Sequence, residues 1–100
     1  MTDKTAIHAS ICTEIHELYN IKNADYGDSF AQLRKRYPSF ICIRVFDKLN
    51  RLETCMAKGT VEVKDETIED TLLDIANYCI MEVAERRAER GNNNESSNFI

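Results

Sequence analysis

The chain has 100 residues, 43% of them hydrophobic and 30% charged, with three glycines and one proline. That is one domain's worth of sequence, too apolar for a disordered polymer and too poor in turn residues for a sandwich of many short strands. The net charge of −4 argues against general binding to duplex nucleic acid. The longest apolar runs, such as Phe40-Ile41-Cys42-Ile43, are too short for a membrane span or a secretory leader. These features predict a cytoplasmic protein with neither duplex nucleic acid nor membrane among its partners.

The first helical pattern runs from about Asp3 to Lys22, where Ile7, Ile11, Ile15, Leu18 and Ile21 recur at three- and four-residue spacing. Thr2 or Asp3 caps its start, and the pattern stops in the link from Asn23 to Asp28, at whose end Gly27 tolerates positive φ and Asp28 or Ser29 caps the next element. A short second helix, about Ser29 to Arg36, turns Phe30, Leu33 and Tyr37 inward. Pro38 ends it, because proline disfavours helical geometry in the residue before it. Ser39 then caps a third helix reaching about Ala57, with Ile41, Val45, Leu49, Leu52 and Met56 as its stripe and Phe46 widening it.

Gly59 is the natural stop, and Thr60 to Val63 has room for one short extended piece. Asp65 or Thr67 caps a last helix to about Arg90. Its stripe of Ile68, Leu72, Ile75, Cys79 and Val83 is broadened by Leu73, Ala76 and Ile80, the mark of a helix at the centre of a bundle or at a dimer seam. Residues 91–100 are polar and low in complexity and read as a disordered tail. The four cysteines, Cys12, Cys42, Cys55 and Cys79, form no CxxC pair and stand in apolar stretches, so they read as buried thiols rather than as a disulfide or zinc framework. The architecture predicted is all-α: a compact helical bundle of about four helices in one domain over residues 1–90, with self-association expected because four short helices bury limited area.

Charge is unevenly distributed. Residues 1–21 carry −2, residues 22–58 carry +4, residues 59–90 carry −5 and the tail carries −1. On the third helix, Arg44, Lys48 and Arg51 are spaced i, i+4, i+7 and form a cationic strip suited to a di- or triphosphate, or equally to ion pairing. On the last helix, Glu66, Asp70, Asp74 and Asn77 form an acidic stripe. Carboxylates one turn apart can share Mg²⁺; they can also pair directly with the cationic strip. Glu14 and Glu17 on the first helix make an ExxE, a pattern that exposed helices carry by chance. No His-Glu-x-x-His, phosphate-binding glycine loop or nucleophile elbow is present. The link from Lys22 through Asp25 and Tyr26 is the most distinctive local feature, and Tyr26 either stacks a ligand ring or plugs the end of the bundle.

Three segments, Lys22-Asn-Ala-Asp25-Tyr26-Gly27-Asp28-Ser-Phe30, Arg44-Val-Phe-Asp47-Lys48-Leu-Asn50-Arg51-Leu and Val63-Lys64-Asp65-Glu66-Thr-Ile-Glu69-Asp70-Thr-Leu-Leu-Asp74-Ile-Ala-Asn77-Tyr78, resemble in order the nucleotide modification associated domain family of phages and prophages. A more distant likeness is to the all-α nucleoside triphosphate pyrophosphohydrolases of the MazG kind, which set an ExxE pair against an ExxD pair to hold Mg²⁺ around a triphosphate. Glu14 and Glu17 match the first pair; no clean ExxD follows, which counts against hydrolysis more than against nucleotide binding.

The resemblance implies a phage-type module, in the host cytoplasm, that captures a nucleotide or nucleotide-derived signal without turnover and without a cofactor. Arg44, Lys48 and Arg51 then hold phosphate, Tyr26 stacks the base, Asp70, Asp74 and Asn77 read base or ribose hydrogens, and Lys22 and Asp25 belong to the same ligand-binding set. In a phage, such capture serves DNA-base modification or sequesters a host defence signal. The alternative is an Mg²⁺-dependent (d)NTP pyrophosphohydrolase with Glu14, Glu17, Asp70 and Asp74 as metal ligands. A third reading is a helical oligomeric scaffold whose polar stripes pair only with one another.

Overall fold

Asp3 starts the first helix as expected: its Oδ1 accepts from the backbone N–H groups of Thr5 at 3.0 Å and Ala6 at 3.2 Å, a cap that contributes about 1 kcal/mol. The computed structural model describes residues 2–26, 28–58 and 65–98 and builds them from four helices, α1 (Lys4–Tyr26), α2 (Ser29–Arg36), α3 (Phe40–Lys58) and α4 (Asp65–Asn98). The all-α, four-helix expectation holds, with no strand among the described residues. Gly27, Gly59 and the extended piece at residues 60–63 lie outside them.

Two boundaries and one cap differ from the sequence expectation. α1 does not stop at Lys22 but continues to Tyr26, because nothing in Asn23-Ala24-Asp25-Tyr26 breaks a helix. Asp28 stands at the start of α2 without a side-chain capping bond; its backbone carbonyl accepts from Gln32 N–H at 3.2 Å instead. α4 does not end near Arg90: its backbone stays helical to Asn98, through residues that composition marks as a disordered tail. Once a helix is nucleated, each added residue gains one backbone hydrogen bond. Pro38 acts as expected, and Tyr37 closes α2 with a 2.7 Å bond from its N–H to the Leu33 carbonyl.

α3 lies along α4 in the main helix pair, while α1 touches α4 and α2 touches α3 more lightly. The radius of gyration is 17.0 Å and the extents are 61 × 36 × 23 Å. A compact chain of this length has a radius of about 13 Å; the 34-residue α4, about 50 Å long at 1.5 Å per residue, sets the long axis. Apolar burial is correspondingly thin, with Ile15, Phe30 and Leu52 as the buried hydrophobic residues among those described.

Several residues assigned inward face solvent. Ile7, Ile11 and Ile21 of α1, Tyr37, and Phe46, Leu49 and Met56 of α3 are exposed. Cys12, Cys42 and Cys79 are exposed and Cys55 is half-buried, all as free thiols, so the thiols are unpaired as expected but not buried. The largest rotation concerns α4. Its expected stripe leaves Leu72, Ile80 and Val83 in solvent, and the side turned to the neighbouring helices carries Thr71, Ile75, Tyr78 and Glu82. Thr71 satisfies its hydroxyl on the Thr67 carbonyl at 2.8 Å.

Glu82 explains the rotation. It accepts a two-pronged grip from Arg34 of α2, at 3.0 Å from Nε and 2.9 Å from Nη2, and a further bond from Arg86 Nε at 2.7 Å. Arg34 also donates to Glu89. Turning α4 the other way would leave the part-buried Arg34 and Glu82 charges unpaired, which is strongly destabilising. The Arg34 guanidinium holds the Glu82 carboxyl far below its ordinary range, at about 2, against the opposing effect of burial and with a smaller contribution from Arg86. Arg34 is shifted upward in turn, chiefly by Glu82 and then by Glu89.

Candidate functional site

The helix ends meet around a cavity of about 160 Å³. The last turns of α1 supply Tyr19, Lys22 and Asn23; the start of α2 supplies Ser29, Phe30 and Leu33; α3 supplies Phe40 and Arg44; and the middle of α4 supplies Asp74, Asn77, Tyr78 and Met81. Helical spacing places them there. Tyr19, Lys22 and Asn23 are i, i+3, i+4 on one face, as are Asp74, Asn77 and Tyr78, and Phe40 and Arg44 are one turn apart.

Phe30, 8% exposed, anchors the wall. Its ring meets Phe40 edge-on at 5.8 Å and 61° and stacks with Tyr78 at 6.2 Å and 28°. The Arg44 guanidinium lies 5.4 Å from the Phe40 ring centre and 6.0 Å from that of Tyr78. A cation over aromatic faces is held by the ring quadrupoles while its N–H groups remain open to an acceptor. Asn77 is the unusual member: it is 7% exposed and its Oδ1 has no hydrogen-bond partner. A buried amide oxygen left unpaired costs about 1–3 kcal/mol.

Lys22 and Asp74 also line a second, more open groove of about 500 Å³ between α1 and α4, together with Glu14, Glu17, Leu18, Ile21, Asp70 and Leu73. The two spaces therefore adjoin. At their junction Lys48 Nζ donates to Asp74 Oδ2 at 3.2 Å, and Lys22 Nζ stands 4.0 Å from Asp74 Oδ1.

Of the residues singled out from the sequence, the cavity gathers Lys22, Arg44, Asp74 and Asn77, and Lys48 reaches it through Asp74. The groove gathers Glu14, Glu17, Asp70 and Asp74. Arg51 lines neither space. The cationic strip is thus divided: Arg44 faces the aromatic wall, Lys48 pairs with an acid of α4, and Arg51 points to solvent. Asp25 and Tyr26 lie on the last turn of α1, and their side chains, like that of Glu66, lie outside the described part. The four groove carboxylates offer the hard oxygen donors that Mg²⁺ prefers, but among the described residues no three acidic, histidine or cysteine side chains are gathered closely enough to hold a metal ion. Asp74 accepts a bond from Lys48 and stands 4.0 Å from Lys22.

Sequence reading missed Tyr19, Asn23 and Phe40 as site residues and assigned Phe30 to the core alone. The pairs Tyr19/Asn23 and Phe40/Arg44, each one turn apart and ending in a polar group, were the available signal. The Arg34–Glu82 clamp is separated by 48 positions and left no local trace. No described helix is long and apolar enough to cross a membrane.

Neither a curated protein nor a solved structure matches the chain. The model of one family, nucleotide modification associated domain 1, matches residues 22–85. That span runs from Lys22 at the cavity mouth through the whole of α2 and α3 to the clamp on α4, and the chain belongs to the nucleotide modification associated domain 1 family.

Proposed function

We propose that the protein is a nucleotide-binding module that captures a nucleotide or nucleotide-derived small molecule without turning it over. The observation that carries this reading is Asn77, buried with an unpartnered Oδ1 in a cavity walled by Phe30, Phe40 and Tyr78. Aromatic faces and one amide are what a heterocyclic base requires: stacking supplies affinity on any ring, and the amide pairs with a donor on the base edge. At about 160 Å³ the cavity falls below the roughly 300–1,000 Å³ of sites that enclose a whole drug-sized ligand. It therefore takes the base, while sugar and phosphate extend towards Lys22, Lys48 and Arg44 at the junction with the groove. Family membership supports a nucleotide in preference to another planar ring. In a phage-encoded setting such capture acts in the host cytoplasm, in base modification or against a defence signal.

A second reading, an Mg²⁺-dependent (d)NTP pyrophosphohydrolase, is favoured by one observation: Glu14, Glu17, Asp70 and Asp74 line a single groove beside the cavity. One experiment separates the two. Purified protein is screened by thermal shift against mononucleotides, deoxynucleotides, cyclic di- and trinucleotides and ADP-ribose derivatives, with and without Mg²⁺, and each ligand is recovered and chromatographed. A ligand at a hundred times its Kd adds roughly 2.7 kcal/mol. Recovery of that ligand intact supports capture, recovery as monophosphate supports hydrolysis, and no shift from any nucleotide refutes both.

A further inference from the structure

The cavity and the groove share a rim but differ in charge. At the cavity and its rim stand three cations, Lys22, Arg44 and Lys48, and one carboxylate, Asp74, which leaves a net charge of +2. Past the rim the charged lining of the groove is acidic alone: Glu14 and Glu17 on α1 and Asp70 on α4, beside the apolar Leu18, Ile21 and Leu73. Glu17 and Glu14 lie five and eight residues before Lys22, and Asp70 lies four residues before Asp74. At 1.5 Å per residue the acids therefore begin about 6–8 Å beyond the rim and reach about 12 Å along the helices. All three are exposed, and among the described residues none of them is held in an ion pair.

Such a lining responds to the length of a phosphate chain. A monoester phosphate carries close to two negative charges at pH 7, its second pKa being about 6, and the rim cations match that charge. Each further phosphate adds about one more negative charge, finds no further cation in the groove, and comes nearer to three carboxylates. At a separation of about 8 Å in water, three like charges oppose each added charge by about tenfold in affinity at low ionic strength, and by less in physiological salt, where the Debye length is about 8 Å. Asn77 and the aromatic wall act on the base, which is the same in a monophosphate and a triphosphate, so they drop out of the comparison.

From these observations we infer that the site selects nucleoside monophosphates, and that Glu14, Glu17 and Asp70 are the specificity-determining residues that turn di- and triphosphates away. This rests on the capture reading above and names its ligand class. It also gives the groove carboxylates a use that requires no metal ion.

The test is isothermal titration calorimetry of the full chain at low ionic strength with EDTA present, so that each ligand presents its own charge. The ligands are the mono-, di- and triphosphates of adenosine, guanosine, cytidine and thymidine. Three proteins are compared: wild type, the triple variant Glu14→Gln, Glu17→Gln, Asp70→Asn, and the control Glu53→Gln, which neutralises an exposed acid of α3 that lines neither space. For the base that binds, wild type should hold the monophosphate about tenfold more tightly than the triphosphate, with the diphosphate between them. The triple variant should bring the two affinities together, and Glu53→Gln should keep the wild-type ratio. Circular dichroism checks that the triple variant stays helical; should it not, the wild-type ratio and the single variant Glu17→Gln, which should narrow that ratio, still decide the matter. A triphosphate bound by wild type as tightly as the monophosphate overturns the inference and leaves capture standing. So does a helical triple variant that keeps the wild-type ratio, or a control that abolishes it. Absence of binding by every one of these ligands overturns the inference and the capture reading together.

Discussion

Replacing Asn77 with leucine should move stability and binding in opposite directions. Leucine keeps the branch point at Cγ and removes the amide. In the unliganded protein Asn77 is 7% exposed with Oδ1 unpartnered, an arrangement that costs about 1–3 kcal/mol. A single neutral acceptor belongs to the lower part of that range. The variant should be more stable by about 1 kcal/mol, which in a domain of this size raises Tm by roughly 4–8 °C. Binding should weaken about tenfold or more, because the ligand's edge donor loses its acceptor and enters an apolar pocket unpaired. Thermal denaturation without ligand and titration with whichever nucleotide stabilises the wild type read the two effects. Asn77→Asp serves as a further probe, since it keeps the acceptor and loses the donors. A Tm that falls by several degrees would show that Asn77 is already satisfied in the free protein, and unchanged affinity would remove the base from this cavity; either result refutes the reasoning.

Other consequences follow from the ion pairs and from α4. Glu82→Gln removes the carboxylate at the centre of the α2–α4 clamp; the depression of its pKa from 4.5 to about 2 corresponds to at most about 3 kcal/mol, which residual solvent access trims to about 2. Since the folded-state pKa is the lower one, that contribution is present in full above about pH 4.5 and is lost as pH falls towards 2. The urea midpoints of wild type and variant should therefore be well separated at pH 7 and converge near pH 2.5, and a separation independent of pH would contradict the assignment. Lys48→Ala breaks the 3.2 Å bond to Asp74 at a site still open to water, so it should cost no more than about 1 kcal/mol of stability while lowering nucleotide affinity several-fold by titration. Loss of stability with affinity intact would favour the scaffold reading. Gly91→Ala adds a Cβ that meets nothing within 4 Å inside α4, so it should increase helicity at 222 nm and stabilise by up to about 1 kcal/mol. No gain would mean that the helix does not depend on this turn.

Periodicity and punctuation carried the secondary structure. The caps and breakers at Asp3 and Pro38 act locally, through a side chain reaching two or three residues or a ring forbidding one conformation, so they are legible without a fold. The same holds for the number of helices and for the nearness of Asp74 to Asn77, which one turn of helix guarantees. Family membership was legible for the same reason, as three ordered local motifs. What periodicity could not provide was the rotation of each helix about its axis. α4 is apolar over so much of its circumference that hydrophobicity alone leaves its orientation nearly degenerate. The Arg34–Glu82 clamp and the Lys48–Asp74 pair, each joining residues far apart in sequence, resolve that degeneracy, and they turn Asn77 inward while leaving Leu72, Ile80 and Val83 in solvent. The tertiary structure likewise divided the Arg44, Lys48 and Arg51 strip, because Arg44 and Lys48 stand level with the aromatic wall and Asp74 while Arg51 stands beyond both. The helices were thus specified by short-range chemistry, whereas the cavity exists only because long-range ion pairs chose which sides of those helices face one another.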